Sequence, residues 1–272
     1  MLNLNRFKLP QYVIQLSLLL LVTSSYSTLS LAQNAEDKGL SIAKERKSRD
    51  IGWSDSVADT SMILRNPRGD ETERKMRVKS LEVQSDGDKG LTIFDQPLDV
   101  KGTAFLNFSH PLEADDQWMY LPKLKRVKSI QSKNKSGPFM GSEFAFEDMS
   151  SFEIEKFKFK YLRDENYQEQ DSFVIEQTPL DDDSGYSKMI TWVDKQHYRA
   201  LKTEYYDRKN SLLKILTMHN YQLYIDKYWR PMELRMENRQ TGKSTDLITH
   251  SLKFNTGLSD NDFDKDSLMR AR

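Results

Sequence analysis

Few of the 272 residues have the types and spacing that catalytic chemistry requires. The chain has no cysteine, which removes thiolate nucleophiles, zinc–thiolate sites, iron–sulfur clusters and disulfides. It has no Gly-x-Ser-x-Gly motif and no His-Glu-x-x-His motif, and its four histidines lack metal-ligand spacing. A hydrolase acting on envelope lipids would need a nucleophile and a base assembled from distant strands. We therefore predict a protein that is not an enzyme and that uses no metal or cofactor.

Three loops resemble ligand-binding motifs but depart from them at deciding positions. Residues 242–244, Gly-Lys-Ser, end like a phosphate-binding loop, but Glu237 stands where the first glycine belongs. In Asp181–Gly185 the glycine comes one position too early for a calcium loop. The run Asp260–Asp264 also resembles the start of a calcium loop, but the next residue, at the sixth position where such a loop has glycine, is Lys265. We predict solvated turns at the last two places, and we reject a phosphate-binding loop at the first because it lies between two predicted strands.

The first 32 residues have the pattern of an export signal. Arg6 and Lys8 precede an apolar run from Val13 to Val22, and a Ser-Leu-Ala cleavage motif ends at Ala32. The apolar run is about half as long as a transmembrane helix. We predict cleavage after Ala32 and a mature chain of residues 33–272 that forms one domain. The predicted location is the bacterial periplasm, where a cysteine-free chain avoids thiol oxidation.

The charges balance over the whole chain but not locally. Lys plus Arg equals Asp plus Glu at 41 each, so no net charge attracts nucleic acid, and we expect no nucleic-acid partner. Positive residues concentrate in one run: Lys123, Lys125, Arg126, Lys128, Lys133 and Lys135. This run fits an exposed edge that lysines protect against sheet-to-sheet pairing. It also fits a surface for anionic head groups or an acidic docking partner.

The hydrophobic pattern predicts one helix followed by an antiparallel meander. Residues 35–50 read as a helix, and from about Ala58 the period changes to two. The predicted strands after this change are 76–83, 91–94, 102–108, 117–121, 125–130, 157–162, 172–177, 187–193, 198–206, 212–221, 232–238 and 245–254. A sheet of this size curls into a barrel or a deep half-barrel, whose interior holds a ligand or is plugged by helices.

An unusual cluster of aromatic and methionine residues interrupts the meander. Residues 139–149, FMGSEFAFEDM, lie in a helical or irregular insert around 136–151. Methionine and phenylalanine adapt to irregular apolar guests, so this segment fits a helical lid over a lipid pocket. Ordinary core packing is the alternative. The tail from Ser259 is predicted to be anchored by Phe263 and Leu268.

Ordered blocks of residues resemble those of a known family. The run 94–104, FDQPLDVKGTA, is similar to that family's F-x-x-P-x-D-x-x-G-T-A segment. The blocks 118–122, 139–144, 186–188, 192–194 and 202–207 follow in the family's order. Glu143 departs from the usual Asp but keeps the charge. The chain thus resembles the exported outer membrane lipoprotein-sorting proteins, relatives of the LolA/LolB lipoprotein carriers, from about Ala58 to Leu268.

The resemblance implies a mainly β (α+β) fold: a curved antiparallel half-barrel of about 11–12 strands with helices covering the concave face. It implies a noncatalytic carrier of lipid or lipoprotein acyl chains, paired with an exporter of the RND or MMPL type. We predict as cavity-lining residues Phe105, Trp118, Tyr120, Phe144, Phe146, Trp192 and Leu216. We predict as contacts for a partner or for lipid head groups Lys123, Lys125, Arg126 and Lys128. The alternative is a docking subunit of an envelope transporter that carries no lipid.

Overall fold

The computed structural model describes residues 33–270; the predicted signal peptide, residues 1–32, lies outside this range. Within it, helix α1 covers residues 33–48, close to the predicted 35–50. The strands are β1 Asp55–Arg65, β2 Glu71–Leu81, β3 Lys89–Gln96, β4 Ala104–Phe108, β5 Asp116–Leu121, β6 Arg126–Ser129, β7 Phe157–Tyr167, β8 Gln170–Pro179, β9 Tyr186–Asp194, β10 Ala200–Asp207, β11 Leu212–Tyr224, β12 Tyr228–Asn238 and β13 Ser244–Phe254. Helix α2, Lys265–Arg270, follows them.

All thirteen strands belong to one antiparallel sheet. Their order is β6-β5-β4-β3-β2-β1-β13-β12-β11-β10-β9-β8-β7. Neighbours in this order are also neighbours in sequence, except that β1 pairs with β13. Strands β6 and β7 are the two edges of the sheet. The β1–β13 pairing runs from Ser56 opposite Phe254 to Arg65 opposite Ser244. The predicted curved half-barrel is confirmed, with thirteen strands instead of 11–12. The sequence analysis placed the change to a period of two at about Ala58 but did not predict β1, Asp55–Arg65, as a separate strand.

The two faces of the sheet are covered by different elements. Successive residues of a strand point to opposite faces, which fixes the face of each side chain. The concave face, here called the inner face, packs against α1, where Ile42 and Ala43 contact Phe159, Ile175 and Val193. The opposite, outer face packs against the C-terminal tail. Phe263 and Leu268 are 1% and 0% exposed there, which confirms them as anchors.

The rest of the inner face is covered by the connecting segment, residues 130–156 between β6 and β7. The lid helix that we considered for residues 139–149 does not form; short 3-10 turns cover Phe139–Gly141 and Phe146–Met149. Met140 and Gly141 both have positive φ, which stops a regular helix at this point. The segment is nevertheless firmly packed, because its aromatic rings enter the sheet's core.

A buried ion pair holds this segment to the sheet. Lys214 of β11 lies 2.6 Å from Asp148 and donates a hydrogen bond to the Glu143 carbonyl oxygen at 2.9 Å. The Tyr186 hydroxyl donates to the same Asp148 carboxylate at 2.8 Å. A buried carboxylate with several donors is well compensated, and losing one partner would be costly.

Neither helix in residues 33–270 is long and apolar enough to cross a bilayer.

Candidate functional site

A cavity of ≈ 1030 Å³ opens on the inner face, beside the packed connecting segment. Its walls come from the C-terminal half of α1 and the loop after it, the β2–β3 and β9–β10 loops, residues 151–155, and strands β11 and β12. Ligand sites in proteins are commonly clefts of roughly 300–1,000 Å³. We call this space the inner-face cavity.

The sheet supplies an apolar floor to the inner-face cavity. Leu216 and Met218 are two residues apart on β11 and therefore share a face, and Leu234 of β12 lies opposite Met218. Phe152 of the connecting segment and Trp229 of β12 add aromatic walls. This floor and these walls can bury the hydrocarbon part of a ligand.

The rim of the cavity is charged, and its arginines are held against aromatic rings. The guanidinium of Arg199 lies 4.7 Å from the ring centroid of Trp229 and 4.9 Å from that of Tyr221. Its Nε also donates to Asp194 at 2.8 Å. Burial raises the pKa of Tyr221 to about 12, so this hydroxyl is neutral at physiological pH. Stacking and ion pairing together fix Arg199 in place.

An acidic residue on the opposite wall is poorly compensated. Burial raises the pKa of Asp88 to about 6, although the nearby Lys47 acts in the other direction. The Asp88 carboxylate accepts one long hydrogen bond, from the Val83 amide at 3.3 Å. Lys47 is engaged elsewhere, 3.0 Å from Glu153.

Four of the seven predicted cavity residues belong to the inner side. Leu216 lines the inner-face cavity. Phe105 and Phe146 pack together around Phe139, with ring centroids 5.0 and 5.7 Å from it, outside the cavity. Phe144 is buried in the neighbouring cluster with Tyr186 and Leu216. The aromatic residues of the connecting segment thus fill their part of the half-barrel themselves.

The other three predicted residues lie on the outer face, away from this cavity. Trp118 and Tyr120 flank the inward-pointing Met119 on β5, and they pack with the C-terminal tail. Trp192 pairs in register with Lys202, whose ammonium lies 3.9 Å from the indole centroid. The sequence pattern does not tell which face of a strand is concave, so the strand register was needed to assign these side chains to a face.

The predicted contact residues are on the sheet's edge. Lys123 and Lys125 flank the turn before β6, and Arg126 and Lys128 are exposed on β6 itself. β6 is an edge strand, which agrees with the predicted exposed edge. The role of its basic residues stays a prediction. Within residues 33–270 none of the four forms a salt bridge, so their charges face solvent.

Sequence reasoning did not find the residues around the cavity rim. Arg46 is the clearest case, and a usable signal was present: Gly39, Ile42, Ala43 and Arg46 follow the i, i+3, i+4, i+7 spacing of one helix face. The apolar members of this stripe pack on the sheet, so Arg46 is carried to the same side. Arg199 and Trp229 gave no comparable signal, because distant loops and strands bring them together.

The open half-barrel agrees with the comparisons with known proteins. A family model described only as an uncharacterized protein matches residues 86–270. The chain is 63% identical to a domain from Vibrio parahaemolyticus with the provisional description "outer membrane lipoprotein-sorting protein domain". That match covers 86% of this chain and 100% of the domain, with a TM-score of 0.85. The chain belongs to the outer membrane lipoprotein-sorting protein family.

Two further solved structures are similar to this lipoprotein-sorting family member. A DUF1329 family protein from Desulfovibrio piger is 28% identical over 86% of this chain and 99% of its own, with a TM-score of 0.82. A LolA superfamily protein from Nitrosomonas europaea is 21% identical over 87% and 98% of the two chains, with a TM-score of 0.65. The second shows a shared fold. No curated protein matches the chain.

Proposed function

We propose that this lipoprotein-sorting family member is a periplasmic, noncatalytic carrier that holds the acyl chain of a lipid or lipoprotein in the inner-face cavity. The observation that carries the proposal is a cavity of ≈ 1030 Å³ with an apolar floor inside a half-barrel of the LolA fold. Each methylene buried there contributes about 0.8 kcal/mol, so a chain of moderate length is held without specific polar contacts.

The proposal includes export and a partner. The signal-like residues 1–32 support transport to the periplasm with cleavage after Ala32. A tightly held acyl chain leaves slowly unless a partner or a moving element assists its release. The family resemblance suggests an RND- or MMPL-type exporter in this role.

Native mass spectrometry tests the carrier proposal directly. The protein is purified from a periplasmic extract of its source cell without detergent, and its bound material is extracted. We expect the measured mass to be that of a mature chain that begins at Gln33, with a lipid or an acylated protein bound in stoichiometric amount. An empty protein that also refuses added lipids of several head groups would contradict the carrier proposal.

A matched pair of variants tests the location of the acyl chain. Met218 lines the cavity, whereas Ile215, three residues earlier on β11, points to the outer face. We expect Met218→Trp to fill the cavity and reduce uptake of a fluorescent fatty acid at least about fivefold. Ile215→Trp should leave uptake unchanged. Equal uptake by both folded variants would place the chain elsewhere.

The exposed basic edge favours a second candidate function, a docking subunit of an envelope transporter that carries no lipid. In this version the basic residues Lys123, Lys125, Arg126 and Lys128 form the contact surface. Reversing the three lysines to Glu should abolish co-purification with the transporter, and neither the wild-type nor the reversed protein should take up fatty acid. Normal co-purification of the reversed variant would count against this surface.

A further inference from the structure

Arg46 occupies an unusual position in the inner-face cavity. It lies on α1 one helical turn after Ile42 and Ala43, which pack on the sheet. Its side chain therefore points across the inner face and lines the cavity. The guanidinium carbon is 4.4 Å from the ring centroid of Phe152.

Arg46 differs from the other cations of the cavity in having no anionic or carbonyl partner within residues 33–270. The other five lysines and arginines of the lining each have one: Lys47 with Glu153 at 3.0 Å, Arg49 with Glu45 at 2.7 Å, Arg199 with Asp194 at 2.8 Å, Lys227 with the Ile51 carbonyl at 2.6 Å and Arg230 with Asp50 at 2.5 Å.

The groups near Arg46 offset only part of the cost of burying its charge. Burial lowers its pKa, but a guanidinium stays protonated at physiological pH. The Tyr221 hydroxyl is neutral and donates to the Ala200 carbonyl oxygen, and the nearby Asp50 is already paired with Arg230. The contact with Phe152 offsets only part of the cost of desolvating a charge.

We propose that Arg46 binds the anionic group, carboxylate or phosphate, of an amphiphile whose hydrocarbon lies on Leu216, Met218 and Leu234. This inference rests on the proposed carrier function and names its ligand class. A guanidinium binds both oxyanions through two parallel hydrogen bonds. The apolar floor and the unpaired cation line the same cavity, as an anionic amphiphile requires.

Calorimetric titration with octanoate, octyl phosphate and octanol below their aggregation limits tests this assignment. We expect the wild-type protein to bind the two anions about tenfold more tightly than the alcohol. Arg46→Gln should bind octanoate, octyl phosphate and octanol equally, each as weakly as the wild-type protein binds octanol. Arg46→Lys should keep part of the wild-type preference for the two anions. Lys44→Gln removes the same charge from the exposed side of α1 and should behave as wild type.

The outcomes separate the two proposals. Equal wild-type binding of octanoate and octanol, or an anion preference that survives in Arg46→Gln, would overturn the role of Arg46 and leave the carrier standing. Binding of none of the amphiphiles would overturn both. Binding of acetate or inorganic phosphate as tightly as the amphiphiles would overturn the amphiphile assignment. If Arg46→Gln misfolds, Arg46→Lys decides instead, because an undiminished anion preference in that variant would overturn the role of Arg46.

Discussion

Two acidic residues of the cavity wall, the buried Glu153 and the half-buried Asp88, differ in how well the surrounding residues compensate their charge. The Glu153 side chain is only 4% exposed, yet it accepts hydrogen bonds from Lys47 at 3.0 Å and from Ser151 at 2.6 Å. Among residues 33–270 the Asp88 carboxylate accepts a single long hydrogen bond, from the Val83 amide, and burial raises its pKa to about 6. Ionised Asp88 is therefore a net cost to the folded state.

Asp88 should give the stability of the protein a measurable pH dependence. Its pKa is about 6 in the folded chain and near 3.8 ordinarily, so the folded state binds the proton more tightly. This contribution to stability is complete below about pH 4 and is lost as the pH rises through about 6. Asp88→Asn should raise the free energy of unfolding by about 2 kcal/mol at pH 7 and leave it nearly unchanged at pH 4.

Urea denaturation of the wild-type and Asp88→Asn proteins across this pH range measures the effect. The exposed Asp182→Asn variant is the control and should show no pH-dependent difference. A stability difference for Asp88→Asn that is equal at pH 4 and pH 7 would refute the assignment.

Helix α1 forms the roof over part of the inner face, and one glycine sets its distance from the sheet. A Cβ atom at Gly39 would lie 2.7 Å from the Tyr161 amide nitrogen and 2.8 Å from that of Lys160. Such distances are too short for unbonded atoms, and the obstacle is backbone that does not move aside easily. The close approach places Arg46, two turns further along, over the cavity.

Gly39→Ala should therefore destabilise the protein although alanine is the better helix former. Intrinsic helix propensity alone would raise the free energy of unfolding by at most about 1 kcal/mol. We expect a net loss of about 2 kcal/mol, because α1 must move off the sheet to admit the methyl group. Hydrogen exchange should become faster in residues 33–48. Gly90→Ala, with no atom within 4 Å of its added Cβ, is the control, and an increase in stability for Gly39→Ala would disprove the close contact.

At the scale of the whole molecule, the sheet is continuous from β6 at one edge to β7 at the other. Pairing of β1 with β13 joins the first six strands to the last seven, and Met62 lies opposite Leu247 at this junction. Met62 is fully buried. Since the junction is part of the core, the two halves have no separate interface at which they could come apart.

The single domain predicted for residues 33–272 should unfold as one cooperative unit. Trp118 lies in the first half of the sheet and Trp192 in the second. Two proteins, one keeping only Trp118 and the other only Trp192 with the remaining tryptophans replaced by Phe, should show coincident fluorescence and circular-dichroism transitions in urea. Separate midpoints for the two halves would contradict the single-domain prediction.

Local patterns were sufficient to predict most of the elements. Alternation of apolar and polar residues predicted most strands at the correct positions. Residues 139–149 were harder, because phenylalanine and methionine suit a helix, a turn or a core equally well. Their backbone was decided by packing against Phe94 and Phe105 and by the Lys214–Asp148 pair.

The sequence by itself determined the class of fold, the family resemblance and the basic edge, because these depend on residue type and short-range spacing. Tertiary structure decided which side chains share the cavity. Strand register separates Phe105 from Trp118 by placing them on opposite faces. It also brings Arg46, Leu216 and Trp229 together from a helix and two strands. Such contacts follow from long-range pairing, which no local pattern encodes.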